Sequence, residues 1–386
     1  MTLPASKTYA NLPTSTYQTQ LDDKVTRLKN LLSPFAKKEL LADMTVYQSE
    51  VTHFRMRAEF GIWHEGSDCF YTMMEATEAN NAENKQRVKV DTFAIANHAI
   101  NKLMPVLLEK VKQHETLKHK LFQVEFLSTL SNDMLVTLIY HKKLEDEWQT
   151  LATQLEKELN CHIIGRSRKQ KLVLSQDFVL EKLTVLGKEY TYKQLEGGFT
   201  QPNAKVCEHM LTWACQQAKA ITTNSTSTDL LELYCGNANF TLPLSQFFKK
   251  TLATEISKTS VAAAQWNIAE NHLDSIAIAR LSAEEFTQAK NATREFRRLQ
   301  QADIELASYD FSTVFVDPPR AGIDEDTLAL LSEFDNIIYI SCNPDTLADN
   351  LQTLCKTHKV ISTALFDQFP YTHHIEAGVL LTKIIR

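Results

Sequence analysis

The strongest constraint on this fold is the alternation of apolar and helical segments after residue 200. Five short apolar runs follow one another: LLELY at 230–234, TLATEI at 251–256, IAIARL at 276–281, TVFVD at 313–317 and NIIYIS at 336–341. Turn residues bound each run, and helical stretches lie between them. Strands that are apolar at every position must be covered on both faces, which a parallel sheet with helices on each side achieves. Two more strands, KVISTALF at 359–366 and AGVLLTKII at 377–385, are joined by QFPYTHHIE. A long helix from about Asn203 to Ala220 precedes the series. The expectation for 200–386 is a seven-stranded α/β domain, doubly wound at first and closed by a terminal hairpin.

The first 199 residues read differently. An amphipathic helix is expected over 18–35, with Leu21, Val25, Leu28 and Leu32 on one face. FRMRAEFGIW at 54–63 and CFYTMME at 69–75 flank a turn and form a hairpin, followed by a helix at about 93–113. KLFQVEFLSTL and MLVTLIYHKK form a second hairpin, followed by a helix over about 144–159. A third hairpin, CHIIG to KLVLS, ends near 175. This is an α+β domain, expected over 1–199. The chain of 386 residues is long enough for two domains.

Composition narrows the classes. Charged residues make up 23% of the chain, and no apolar run reaches the roughly 18 residues of a membrane span. The N-terminus lacks a basic-then-apolar leader pattern. The seven Cys, at 69, 161, 207, 215, 235, 342 and 355, never have CxxC spacing. That spacing argues against a metal, an iron–sulfur cluster or a disulfide scaffold, and for a reducing cytoplasmic setting. The net charge is −6, with the acidic excess after residue 200, so any RNA contact must use local basic patches.

The residues with chemical character gather at the ends of the expected parallel strands. ELYCGNANF at 232–240 is a strand, a glycine turn and a helix start, the place where a backbone can approach a ligand closely. It has one Gly where nicotinamide enzymes use GxGxxG, and a plain strand-to-helix turn would look similar. Tyr234 and Asn239 suit the amino-acid end of a cofactor. Glu255 ends the second strand about 20 residues on, the spacing for a carboxylate that accepts ribose hydroxyls. VDPPR at 316–320 puts Asp317 and Arg320 at the same sheet edge. In ISCNPDTL at 340–347, Cys342 ends the fifth strand and precedes a helix with Pro344 in its first turn. That helix start is expected to favour the thiolate. The last strand should run antiparallel to the fifth, which brings Glu376 near Cys342. His373 and His374 lie just before it, with no third ligand spaced for a metal. The seven strands and this edge are the pattern of an S-adenosylmethionine-dependent methyltransferase.

A thiol and a carboxylate together suit one methylation above others. Carbon 5 of a pyrimidine is a poor nucleophile until a thiolate adds at carbon 6. After methyl transfer, a carboxylate can remove the carbon 5 proton. The chain resembles the bacterial tRNA (uracil-5-)-methyltransferase family in FRMRAEF, HKLFQ, YHKKL, GFTQPNA, LLELYCGN, LATEI, FVDPPR, YISCNP and FDQFPYTHH, in order along nearly the whole chain.

The resemblance implies that Gln201, Tyr234, Asn239, Glu255 and Asp317 bind S-adenosyl-L-methionine, that Cys342 is the nucleophile and that Glu376 is the proton acceptor. It implies methylation of uridine 54 in the tRNA T-loop, with the T-loop-like region of tmRNA as a further substrate. It also implies a Rossmann-like catalytic domain over 200–386 and an RNA-recognition domain over 1–199. Expected RNA contacts are Arg55, Arg57, Phe122, His141 and Arg320, with aromatic side chains stacking on splayed bases. Two positions depart from the family pattern: Ala238 stands where a second Gly is expected, and Gly61 where a basic residue is expected. Related rRNA uracil methyltransferases carry four N-terminal Cys, whereas only Cys69 lies before residue 160 here. The alternatives are such an rRNA enzyme, or an RNA-binding or RNA-folding protein with a vestigial methyltransferase fold.

Overall fold

The computed structural model describes residues 3–6, 12–78, 81–223 and 228–384. The N-terminal segment forms a helix, Tyr17–Leu32, and a short strand, β1 (Thr45–Tyr47). The helix buries Leu21, Leu28 and Leu32, while Val25 is only partly covered, so the apolar face is the expected one. Seven strands follow: β2 (Arg57–Glu65), β3 (Asp68–Glu78), β4 (Asn81–Lys89), β5 (Leu121–Ser128), β6 (Met134–Tyr140), β7 (His162–Ser167) and β8 (Gln170–Val173). They form one sheet in the order β4-β3-β2-β5-β6-β7-β8, and only the β6–β7 pair is parallel. Ile100, Met104 and Leu107 of the His98–Lys112 helix and Trp148 and Leu155 of the Asp146–Leu159 helix are buried with the sheet residues Phe60, Phe126 and Val136.

Besides β1, one strand and one hairpin of this half were not expected. β4 is polar, NAENKQRVK, so its composition gives no strand signal. A separate hairpin, β9 (Phe178–Val185) and β10 (Lys188–Leu195), turns at Leu186 and Gly187, both with positive φ as such tight turns require. It docks on the second half of the chain. Thr191 N–H donates to Asn271 Oδ1 at 2.9 Å, and Lys193 N–H donates to Asn267 Oδ1 at 2.7 Å.

The second sheet contains β11 (Asp229–Leu233), β12 (Thr251–Thr254), β13 (Ile276–Ala279), β14 (Phe311–Val316), β15 (Asn336–Ser341), β16 (His358–Phe366) and β17 (Glu376–Lys383). Their order is β13-β12-β11-β14-β15-β17-β16, with β1 added parallel to β16. The first five are parallel, and β17 runs antiparallel to both neighbours. The sheet therefore has the seven strands expected after residue 200 and an eighth from the N-terminal segment. Strand order reverses between β11 and β14, and the crevice at such a switch point is where doubly wound sheets take ligands. Residue 200 separates the two sheets except for residues 17–47, which pack with the second, and the β9–β10 hairpin, which leans on its helices.

Candidate active site

The strand ends meet at one cavity of about 570 Å³, within the usual range of roughly 300–1,000 Å³ for small-molecule sites. Gln201, Tyr234, Asn239, Glu255, Asp317, Arg320, Cys342 and Glu376 all line it. Each position follows from the fold. β15 and β17 are antiparallel with Ser341 opposite Ala377, so the next step sets Cys342 opposite Glu376. The two residues are 34 positions apart in sequence and meet across one strand pair. Asp317 follows β14, the parallel neighbour of β15.

The loop after Asp317 is tied to the start of the next helix. Asn343 caps the Pro344–Leu354 helix, its side chain accepting from Asp345 N–H. Its Nδ2 also donates to the Arg320 carbonyl at 3.0 Å. Gly322, at φ +81°, lets the loop lie close to Thr346 and Asn350; a Cβ there would meet them at 3.1 and 3.2 Å. Arg320 is held at the mouth by its backbone, with its side chain exposed.

The glycine turn is built from left-handed residues. Tyr234, Gly236 and Ala238 have φ of +62°, +57° and +67°. A non-Gly residue there costs about 1–2 kcal/mol, so Ala238 holds the geometry of the expected Gly under strain. Glu255 accepts from Gly236 N–H at 3.0 Å and from Ser257 N–H at 2.7 Å, joining the second strand end to the turn. Space beyond Gly236 is open, with nothing within 4 Å of a Cβ built there. A glycine turn with open space above it and an acid beside it fits an adenosyl cofactor. Gln201 is oriented by Gln368, whose Nε2 donates to its Oε1 at 3.0 Å. Asn239 is fixed by its own carbonyl, which accepts from Tyr192 Oη–H at 3.0 Å.

The electrostatics correct one expectation. The start of the following helix was expected to favour the Cys342 thiolate. Instead burial pushes the thiol up to about 11, and the carboxyls of Glu376 and Asp317 push the same way against Arg320. Asp317 is raised to about 7 by burial. Glu376, 3% exposed, is held well above the carboxylate range, by burial first and then by Asp317. Burial thus favours the neutral form of the thiol and of both acids. Among the described residues, no group of three His, Cys, Asp or Glu is placed to hold a metal.

Comparison with known proteins gives the same reading. The model of the tRNA (Uracil-5-)-methyltransferase family matches residues 16–384. This chain belongs to that family. A tRNA/tmRNA (uracil-C(5))-methyltransferase of Acinetobacter baumannii (strain AYE) is 56% identical over 373 residues, 96% of this chain and 100% of its own length. One from Neisseria meningitidis serogroup A is 56% identical, over 96% of this chain and 99% of its own. Among solved structures, Pyrococcus abyssi tRNA (uracil-54, C5)-methyltransferase with S-adenosyl-L-homocysteine shares the fold. Its TM-score is 0.67 at 17% identity, covering 95% of this chain and 83% of that one.

The residues expected to touch RNA in this family member fall into two groups. Phe122 and His141 stack on each other with centroids 4.2 Å apart on the outside of the first sheet, and Phe122 is 45% exposed. Arg55 and Arg57 turn inward instead. Arg57 donates to the carbonyls of Glu196 at 3.0 Å and Gly198 at 3.1 Å, and Arg55 donates to the Arg57 carbonyl at 2.9 Å. Two basic residues in a strand of alternating burial read as a surface patch. The backbone carbonyls that claim them come from a distant segment that the strand pattern does not reveal. Lys142, next to His141, donates to the Thr116 carbonyl at 2.6 Å.

Sequence reasoning missed several cavity residues. Leu183, Lys193, Gln194 and Leu195 come from the unexpected hairpin, and Glu232 from the middle of β11. The hairpin had a usable signal in the alternation of FVLEKLTV before Leu-Gly. Glu232 had one too, as the acid inside the apolar run LLELY.

Proposed function

We propose that this protein methylates carbon 5 of uridine 54 in the tRNA T-loop, using S-adenosyl-L-methionine, and acts also on the T-loop-like region of tmRNA. The observation that carries this reading is the register that sets Cys342 opposite Glu376 in the cavity of the glycine turn, Glu255 and Asp317. The names of the relatives, tRNA/tmRNA (uracil-C(5))-methyltransferase, support it.

Gln201, Tyr234, Asn239, Glu255 and Asp317 are the residues we assign to the cofactor. S-adenosylmethionine, when bound, supplies an electrophilic methyl group on a positively charged sulfur. Cys342 gives up its proton to solvent as Sγ bonds to carbon 6 of the uracil, and the ring's electrons move to make carbon 5 nucleophilic. Once carbon 5 carries the methyl group, the Glu376 carboxylate removes its proton. The ring double bond re-forms as the carbon–sulfur bond breaks, and Cys342 leaves. Arg320 is the cation that offsets the negative charge these steps create. It stands at the mouth, where it can also hold the uracil once flipped from the stacked loop.

Phe122 and His141 form a flat aromatic surface for a base of the RNA. Residues 1–199 supply RNA recognition and 200–386 the catalytic domain. Cytoplasmic residence is supported by seven cysteines that are all free thiols. No helix among the described residues is long and apolar enough to cross a membrane.

The test is to incubate the protein with unmodified tRNA and methyl-labelled S-adenosylmethionine and to map the labelled nucleotide. Label is expected at carbon 5 of uridine 54 alone, and none with Cys342→Ala, which still binds the cofactor. Label on a ring nitrogen, or undiminished label with Cys342→Ala, would refute the reading.

A further inference from the structure

The Tyr17–Leu32 helix belongs by sequence to the first half of the chain, yet it packs on the second. Its Lys24 is only 5% exposed, and lysine is seldom buried so far without a partner. The amine makes two directed bonds: Nζ donates to Asp367 Oδ1 at 2.7 Å and to the Phe369 carbonyl at 2.8 Å. Asp367 is buried as well. The Tyr17 hydroxyl of the same helix also bonds the Asp367 carboxyl, and it accepts from Ser49 N–H at 2.9 Å. Replacing a buried ion pair with apolar residues of similar size is often neutral or stabilising. Stability alone is therefore a poor reason for this pair, and its geometry offers a better one.

The two groups that accept from Lys24 flank Gln368, which is buried between them. Gln368 Nε2 donates to Gln201 Oε1 and to Met210 Sδ, the latter at 3.3 Å. The first bond takes the acceptor end of the Gln201 amide and leaves its NH2 end for a ligand. Phe369 lines the cavity beside Arg320, Cys342 and Glu376. Lys24 lies outside the cavity, but through these neighbours it reaches two of its walls.

The turn just beyond is strained. Tyr371 has φ +62°, a left-handed conformation that is costly for a bulky side chain. Such residues persist where the surroundings over-determine them. Here the N-terminal segment does so. The Tyr371 ring packs on Tyr17 with centroids 6.0 Å apart, and its hydroxyl donates to the Val51 carbonyl at 2.8 Å.

We propose that Lys24 is a positioning residue of the active site. Its bonds to Asp367 and Phe369 hold the turn between β16 and β17, so that Gln368 orients Gln201 and Phe369 stands in the wall with Cys342 and Glu376. The inference rests on the cofactor reading above for the ligand that Gln201 meets. Lys24 touches neither substrate nor cofactor and moves no proton.

Calorimetry with S-adenosylhomocysteine separates the affinity of the folded protein from the fraction able to bind. Lys24→Met keeps the length of the side chain and loses both bonds. It should bind S-adenosylhomocysteine about tenfold more weakly, the worth of one well-placed hydrogen bond. At saturating S-adenosylmethionine its kcat on unmodified tRNA should also fall about tenfold. Affinity for tRNA, which the proposed function places on the first sheet, should change by less than about twofold. Lys24→Met leaves Asp367 unpaired in the interior, so its Tm should fall. Lys24→Met/Asp367→Leu removes that lone charge and should regain most of the lost Tm, without regaining affinity or kcat. A merely structural tie would lower Tm and the binding fraction while the affinity and kcat of the folded protein stayed at wild-type values. That result would overturn the proposal, and so would wild-type affinity and kcat in the double variant, even if Lys24→Met failed to fold. No binding of S-adenosylhomocysteine by the wild-type protein would overturn the cofactor reading and the proposal with it.

Discussion

At Cys342 two local effects oppose one another. The thiol stands just before a helix whose N-terminus favours negative charge. It also stands in a pocket with Glu376 and Asp317, where burial and like charge favour the neutral form. The second effect prevails, at about 11. At pH 7 the protonated thiol is then the prevailing form. Alkylation of Cys342 by iodoacetamide, followed by peptide mapping, should be slow at neutral pH and rise toward a midpoint near 11. Glu376→Gln should move that midpoint down and Arg320→Ala should move it up. A wild-type midpoint below about 8 would contradict this account of the resting site. The pairing of Cys342 with Glu376 was readable in the sequence because it needs only strand order and direction. The state of the thiol was not, because desolvation depends on what distant elements cover it.

Between elements, the segment 196–201 joins the two sheets. Glu196 accepts from Arg166 and Lys171 of the first sheet, at 2.6 and 3.2 Å. Arg57 of β2 grips the carbonyls of Glu196 and Gly198, three residues before Gln201. Hydrogen bonds from a charged group are worth about 1.5–3 kcal/mol. Arg57→Ala should therefore loosen this wall and weaken cofactor binding roughly tenfold by calorimetry, with a smaller effect on RNA affinity. Phe122→Ala should do the reverse. Equal cofactor affinity in Arg57→Ala and wild type would return Arg57 to the RNA surface. These roles were hidden in the sequence for physical reasons. β1 has three residues and is a strand only because β16 offers it an edge. β4 is held by pairing with β3, because its composition alone gives no strand signal. The five parallel strands were readable because burial on both faces leaves a continuous apolar run.

On the scale of the whole molecule, the proposed function puts the chemistry on one sheet and a surface for the substrate on the other. Phe122 lies five residues along β5 from Leu127, the partner of Arg57, a span of roughly 17 Å. An RNA that reaches both the aromatic pair and the cavity must be a folded object of at least that size, with one base turned out of it. In the proposed reaction the T-arm of tRNA is that object, and its turned-out base reaches Cys342 and Glu376 in the cavity. The central claim is that Cys342 bonds to the uracil and Glu376 ends that bond after the methyl group has moved. Denaturing electrophoresis of Glu376→Gln, incubated with unmodified tRNA and methyl-labelled S-adenosylmethionine, tests it most directly. The account predicts a protein–RNA band that survives denaturation and carries the label, because the added thiol cannot leave while carbon 5 keeps its proton. Free methylated tRNA released at the wild-type rate would contradict it.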